Sequence, residues 1–355
     1  GPISVYGGNI NLSADLLVTT TDALKLLASK DIKGSAGTNL STQGGAILLA
    51  SDTDDTNGGA ILMTGVTVNS NGGDITLGGG DLTGSGYAEG SSFGVIGQRY
   101  RGMWVDQSTL DASGTSSNGD IVLRGRGWQE ENTSFTVYPA GNGDYAIGVD
   151  ITNGTQINTG GTGTITIDGL GGKNNSNNSH GVGINFFNSS TIFTDSGNIS
   201  LSGTSGTGSA REYSGILMDG GTAVSIYSDT GPISLTGSGG ATDTGIKFNA
   251  GFNLGWNGAS IISSGDVNLI ADAMSFAAGF TVKTTGELAV ESISNSFRAA
   301  LSWPLTNVNI GNTLGGLRLG KSTNTANITI ASAQTVSGPI SLYGGAIVIN
   351  ESLNT

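Results

Sequence analysis

The chain contains no cysteine and a single histidine, His180, among 355 residues. Disulfides, thiolate metal centres and cysteine nucleophiles are therefore excluded, as is any multi-histidine metal site. A Ser-His-Asp arrangement has only that one imidazole to draw on. Charge is also scarce, at 12% of residues, and unbalanced, with 14 basic against 27 acidic side chains and a formal net charge of −13. That balance opposes a broad nucleic-acid footprint or strong attraction to anionic lipid. No apolar run approaches the ~20 residues needed to span a bilayer as a helix. Residue 1 already lies in a strand-like word, so no leader is visible and the segment reads as mature or cut from a longer protein. Long helix-forming stretches are nearly absent, because Gly, Ser, Thr and Asn interrupt every apolar run.

Glycine is abundant instead, at 62 residues. With only 5 prolines and no strict G-x-y period, the chain is not a collagen. A five-residue word recurs: Gly, any residue, Ile or Val, any residue, and an aliphatic. It appears as Gly45-Ala-Ile-Leu-Leu49, Gly59-Ala-Ile-Leu-Met63, Gly73-Asp-Ile-Thr-Leu77, Gly119-Asp-Ile-Val-Leu123 and Gly197-Asn-Ile-Ser-Leu201, among others. Apolar side chains at positions three and five give period-2 alternation, a strand with one buried face. From Gly163 through Gly197 and Gly231 to Gly265 the word returns every 34 residues. Two further strand-like pieces lie between successive words, such as Gly183-Ile-Asn-Phe186 and Thr191-Ile-Phe-Thr194.

Three short strands per repeat cannot bury their apolar faces alone, whereas stacked repeats share one inner column. The expectation is an all-β chain, a parallel β-solenoid with three faces per coil, corner-loop insertions, and Gly or Asn where corners need φ > 0. Steps of 14 residues between Gly45, Gly59 and Gly73 suggest shorter coils there, and residues 169–179 and 203–213 read as corner loops. Roughly 11 to 15 coils at ~4.8 Å would make a rod of about 50–70 Å. No linker interrupts residues 1–355, which form one segment. Gly1-Pro-Ile-Ser-Val-Tyr-Gly-Gly-Asn-Ile-Asn-Leu12 returns as Gly338-Pro-Ile-Ser-Leu-Tyr-Gly-Gly-Ala-Ile-Val-Ile349, with eight of twelve positions identical. The 337-residue offset marks one period of a tandem array.

Gly8-Asn-Ile-Asn-Leu-Ser-Ala-Asp15, Leu26-Leu-Ala-Ser-Lys-Asp-Ile32 and the 338–349 string resemble the repeats of filamentous-haemagglutinin-like bacterial surface proteins. The resemblance implies a right-handed β-helix in a very long secreted adhesin, at the cell surface or in an extracellular matrix fibre. It implies a structural, non-catalytic role in attachment or cohesion, with neighbouring repeats or identical fibre subunits as partners. The long 34-residue coils depart from that family's shorter ones. Two other classes compete: a polysaccharide lyase or glycoside hydrolase on the same solenoid, and a phage-type receptor-binding spike. The first would need converging Asp, Glu, Lys or Arg; the end-to-end recurrence speaks against the second.

Binding-type residues concentrate at Arg99, Tyr100, Arg101 and Trp104, then Arg124, Arg126 and Trp128, followed by Tyr138. Aromatic faces stack on sugar rings and Arg forks bind carboxylates or sulfates, so a cell-surface glycan or matrix polysaccharide is the expected ligand. The plainer alternative is that these residues close a corner or cover an apolar end. Asp52, Asp54 and Asp55 form an oxygen-rich loop that could hold Ca²⁺, without EF-hand spacing, and otherwise make a solvated turn. No other cofactor is expected. Glu130 and Glu131 are adjacent and would point to opposite strand faces; Glu287 and Glu291 show no partner of their own. Asn198 and Thr164 are candidates for side-chain ladders along the stack.

Overall fold

The computed structural model describes residues 1–56, 58–90, 100–115, 117–129, 145–173, 180–208, 212–277 and 279–355. All regular structure there is β-strand, and every pair of neighbouring strands is parallel. Three faces of parallel sheet run side by side along the molecule, and apart from the extra first-face strand Ala88–Glu89 the chain visits them in rotation. The fold is a parallel β-solenoid. Twelve strands succeed one another on the first face, from Ile3–Gly7 to Ile340–Leu342. The chain therefore makes twelve coils, a prism of about 53 Å at ~4.8 Å per step.

Pairing sets the true coil lengths. Gly45, Gly59 and Gly73 precede strands Ile47–Ser51, Ile61–Thr64 and Ile75–Gly79, which lie on the first, second and again the first face. The 14-residue steps are thus half-coils, and the first-face partners Ile47 and Ile75 are 28 residues apart. Ile165, Ile199 and Ile233 pair at the expected 34. The word itself marks a strand start, irrespective of face.

Alternating apolar side chains line the interior as the pattern requires. Ile75, Leu77, Ile121, Leu123, Ile165, Ile199, Leu201, Ile233 and Leu235 stack in paired columns and are all buried. Further along, aromatics fill the core: Phe248 stacks on Phe252 at 4.2 Å between centroids, and Phe276 on Phe280 at 4.6 Å.

The word's leading glycine has a steric origin. A Cβ on Gly197 would lie 1.9 Å from the Gly163 carbonyl oxygen, one on Gly231 1.9 Å from that of Gly197, and one on Gly265 2.1 Å from that of Gly231. None of these glycines has a left-handed φ. They are needed because the chain passes within contact of the coil beneath. Left-handed φ falls instead on neighbouring residues such as Gly44 (95°), Gly72 (101°) and Gly161 (50°), and at other corners on Asn153 (53°) and Asn188 (53°). Beside the glycine column runs a column of buried hydroxyls. Thr159, Thr194, Ser228 and Thr284 donate to the carbonyls of Gly119, Gly163, Gly197 and Gly265.

A second glycine column explains the segments expected to be corner loops. Strands Ile121–Arg126, Ile165–Leu170, Ile199–Thr204 and Ile233–Ser238 run on past the core instead of bending at its edge. There they meet the returning chain face to face. A Cβ on Gly125, Gly169, Gly203 or Gly237 would fall 2.1–2.2 Å from the carbonyl oxygens of Gly148, Gly183, Gly215 and Gly245. The result is a two-layer flange with glycine at its interface. Residues 174–179 and 209–211, within the expected loops, lie outside the described residues.

The sheets are not equally continuous. On the second face Met274–Phe276 and Leu301–Trp303 belong to separate sheets, while the first and third faces pair straight through this level.

Three substitutions test this packing. Gly203→Ala has no space and is expected to lower stability by about 1–3 kcal/mol or more, whereas Gly8→Ala, whose Cβ meets nothing within 4 Å, should be near neutral in urea unfolding. Ile199→Asp places an unpaired charge in the column and should cost several kcal/mol; a parental melting curve would overturn the register.

Candidate functional site

The flange gathers most of the described binding-type residues, on two different faces. On the first face, Ala88–Glu89 pairs beside Ile121–Arg126 and sets Glu89 opposite Arg126. Their side chains meet at 3.5 Å, and the guanidinium lies 5.3 Å from the Tyr87 ring centre. Tyr87 donates its hydroxyl proton to Asp168 Oδ2 at 2.5 Å, and Asp168 pairs in register with Arg124. Burial, reinforced by that carboxylate, pushes the Tyr87 hydroxyl up to about 12.

The second face carries an outward row, one residue per coil: Trp104, Asp150, Asn185, Leu217 and Lys247. Arg101 Nε donates to Asp150 Oδ2 at 2.5 Å, and Asp150 is only 1% exposed. Asn185 Nδ2 donates to the other carboxylate oxygen at 2.7 Å, leaving Asn185 Oδ1 buried without a partner among the described residues. The Arg101 guanidinium sits over both Trp104 (5.3 Å) and Tyr145 (4.9 Å), and Tyr145 meets the His180 ring edge-on at 4.8 Å. Trp104 Nε1 donates to Thr152 Oγ1 at 3.0 Å. Lys247 pairs with Glu212.

The sequence cluster is thus partly assembled and partly divided. Tyr100 and Trp128 are neighbours, the Trp128 N–H donating to the Tyr100 carbonyl at 2.8 Å. Arg101 and Trp104 share the second face, whereas Arg124 and Arg126 lie on the first. Arg99, Tyr138, Glu130 and Glu131 lie outside the described residues. Asp150, Asn185, Lys247 and Glu212 were not singled out from sequence. For Asn185 and Lys247 the signal was the third position of the matching words Gly183-Ile-Asn-Phe186, Gly215-Ile-Leu-Met218 and Gly245-Ile-Lys-Phe248; Asp150 and Glu212 lie outside those words.

Intramolecular pairing decides what this surface can do. Arg101, Arg126 and Lys247 each face a carboxylate of this chain. A ligand anion would compete with those carboxylates, while ring faces and amides suit uncharged hydroxyls.

In the acidic loop, Asp52 is buried at φ 50° and accepts the Thr56 N–H at 3.1 Å, while Asp54 and Asp55 are exposed. Burial, then Glu89 and Asp55, pushes the Asp52 carboxyl up to about 7. Among the described residues no three His, Asp or Glu side chains gather as a metal would require. The expectation for Glu287 and Glu291 is corrected: Arg318, on the adjacent strand, bridges both carboxylates. An asparagine ladder forms at the corner after the second face. Asn153 donates to Asp106 at 2.7 Å and Asn188 to Asn153 at 3.0 Å, one coil per step. Thr164 joins a different row, donating to Asp120 at 3.0 Å.

A cleft of about 540 Å³ opens where the second-face sheet divides, lined by Met274, Phe276, Leu301, Ser302, Leu305 and Thr306 among others. Its carboxylate, Asp272, already accepts the Ser294 N–H at 2.8 Å.

No family model, curated protein or solved structure matches this chain.

The Asp52 environment gives a pH test. Its folded pKa lies above the unfolded value of 3.8, so the stability it contributes is full below about pH 4 and is lost as pH rises through about 7. Asp52→Asn keeps an acceptor for Thr56 and removes the titration. Melting curves should show the variant ahead of the parent at pH 8 by on the order of 1–3 kcal/mol and level with it at pH 4.

Proposed function

We propose that this chain is one period of a long, non-catalytic repeat protein of the bacterial cell surface or extracellular matrix, serving attachment or cohesion. The observation that carries this reading is the return of the first coil's sequence at the twelfth coil. In both copies the string supplies a first-face strand, a glycine-bearing corner and a second-face strand. Such a chain extends by adding coils, and its product is reach. The resemblance of its words to filamentous-haemagglutinin-like repeats supports the extracellular setting. Contact with partners falls to the flange, where Trp104 and Tyr145 offer ring faces on the second face and the Arg124–Arg126 strand offers cations on the first, Arg126 in competition with Glu89, to an acidic glycan.

A two-part experiment tests the reading. On an acidic-glycan array the parent is expected to bind in a salt-sensitive way. Trp104→Ala combined with Arg124→Ala and Arg126→Ala should lose at least tenfold in signal. Arg101 is left in place, since its removal would strand the buried Asp150. Incubation with uronic-acid polysaccharides should release neither reducing ends nor unsaturated products. Depolymerisation would replace this reading with the lyase or hydrolase; equal array signals would leave the segment a spacer.

A further inference from the structure

The recurrence at the chain's two ends extends beyond the matching letters. Shifted by 337 residues, the strands Ile3–Gly7, Ile10–Leu12 and Leu16–Leu17 fall on Ile340–Leu342, Ile347–Ile349 and Leu353–Asn354. All three faces keep the frame, although the letters after Ile349 have diverged. A repeat that was not a whole number of coils would return on a different face. Here 337 residues make eleven coils.

The two coils differ in what covers them. Ile10 and Leu12 are 7% and 6% exposed, with Ile32–Gly34 of the second coil paired alongside. Their counterparts Ile347 and Ile349 are 43% and 54% exposed, and Val348 between them 46%. The last coil therefore presents a first-coil edge, and the surface that fits such an edge is already present in this molecule: the second coil.

Resting on the tandem-array reading, we infer that the open edge of the twelfth coil is the docking surface for residues 22–45 of a following copy. The register is the one used inside the molecule. Ile340 pairs with Leu24 of that copy, Ser341 with Lys25 and Leu342 with Leu26, as Ile3, Ser4 and Val5 do here. Ile347 pairs with Ile32 and Val348 with Lys33, as Ile10 and Asn11 do. The prism then passes from period to period without a seam, keeping the same three faces. Flange residues such as Trp104 and Arg124 would recur about every 53 Å along the fibre, at ~4.8 Å per coil. Weak contacts with a repetitive polysaccharide would add through avidity.

The test uses a chain in which Thr355 is followed directly by residues 19–355 of a second copy. The protein has no cysteine, so introduced pairs report without background. One pair is Ser341→Cys with Lys25→Cys in the second copy; the other is Val348→Cys with Lys33→Cys there. Partners on adjacent parallel strands lie within disulfide reach. Both are expected to close under mild oxidation, and the maximum dimension in solution scattering should grow by about 53 Å over the single chain. A rod of that length in which neither pair closes would overturn the register and leave the array intact. Two rods on a flexible joint, melting separately, would overturn the array reading itself. The cysteine-free tandem chain supplies the scattering control should a pair disturb folding.

Discussion

Everything in this molecule depends on the distance between one coil and the next. Parallel strands hold that distance at ~4.8 Å, and where the chain turns into the first face it brings one backbone against the carbonyl of the coil beneath. Only hydrogen fits there, so Gly163, Gly197, Gly231 and Gly265 form a column. The adjoining hydroxyls of Thr194, Ser228 and Thr284 occupy those same carbonyls, which would otherwise be buried with an unfilled acceptor. The aliphatic columns supply the burial energy, and the glycine corners allow the coils to approach closely enough to obtain it.

Short-range features were readable in the sequence because a coil repeats them. Strand alternation, buried columns, the 34-residue coils and a three-faced solenoid all follow from words visible in one dimension. The coil frame around Gly45–Gly73 was not readable, because the word marks strand starts on two faces and only pairing distinguishes them. The flange was not readable for a related reason. Gly169 and Gly203 look like turn residues until Gly183 and Gly215 are found opposite, at a contact that excludes any side chain. Partnerships across coils, such as Arg101 with Asp150 or Arg318 with Glu287, join residues 49 and 31 apart in sequence. Such separations follow from loop lengths, which no local pattern fixes.

The charge balance also takes on a different meaning once the coils are stacked. With 14 basic residues against 27 acidic, cations would be expected to stand out as binding groups. Several are instead bound to carboxylates one coil away, at Arg101, Arg126, Lys247 and Arg318. Amide ladders anchored on a carboxylate, such as Asp106–Asn153–Asn188, serve the same end at another corner. The lateral surface is organised first for cohesion between coils.

The divided sheet on the second face bears on how such a rod would carry load. Between Val267–Ile270 and Glu287–Glu291, and between Phe280–Val282 and Val308–Ile310, backbone ladders bridge the ninth and tenth coils. The third ladder is missing at that level, where Met274–Phe276 and Leu301–Trp303 face a cleft. Tension along the axis would there be shared by two rows of hydrogen bonds in place of three, and bending would be easiest toward the remaining pair. The third face divides in turn one coil later, between Val308–Ile310 and Gln334–Thr335, so each period of the proposed array would contain two adjacent compliant levels, and a fibre of many periods would yield there in small increments before any stiffer block came apart.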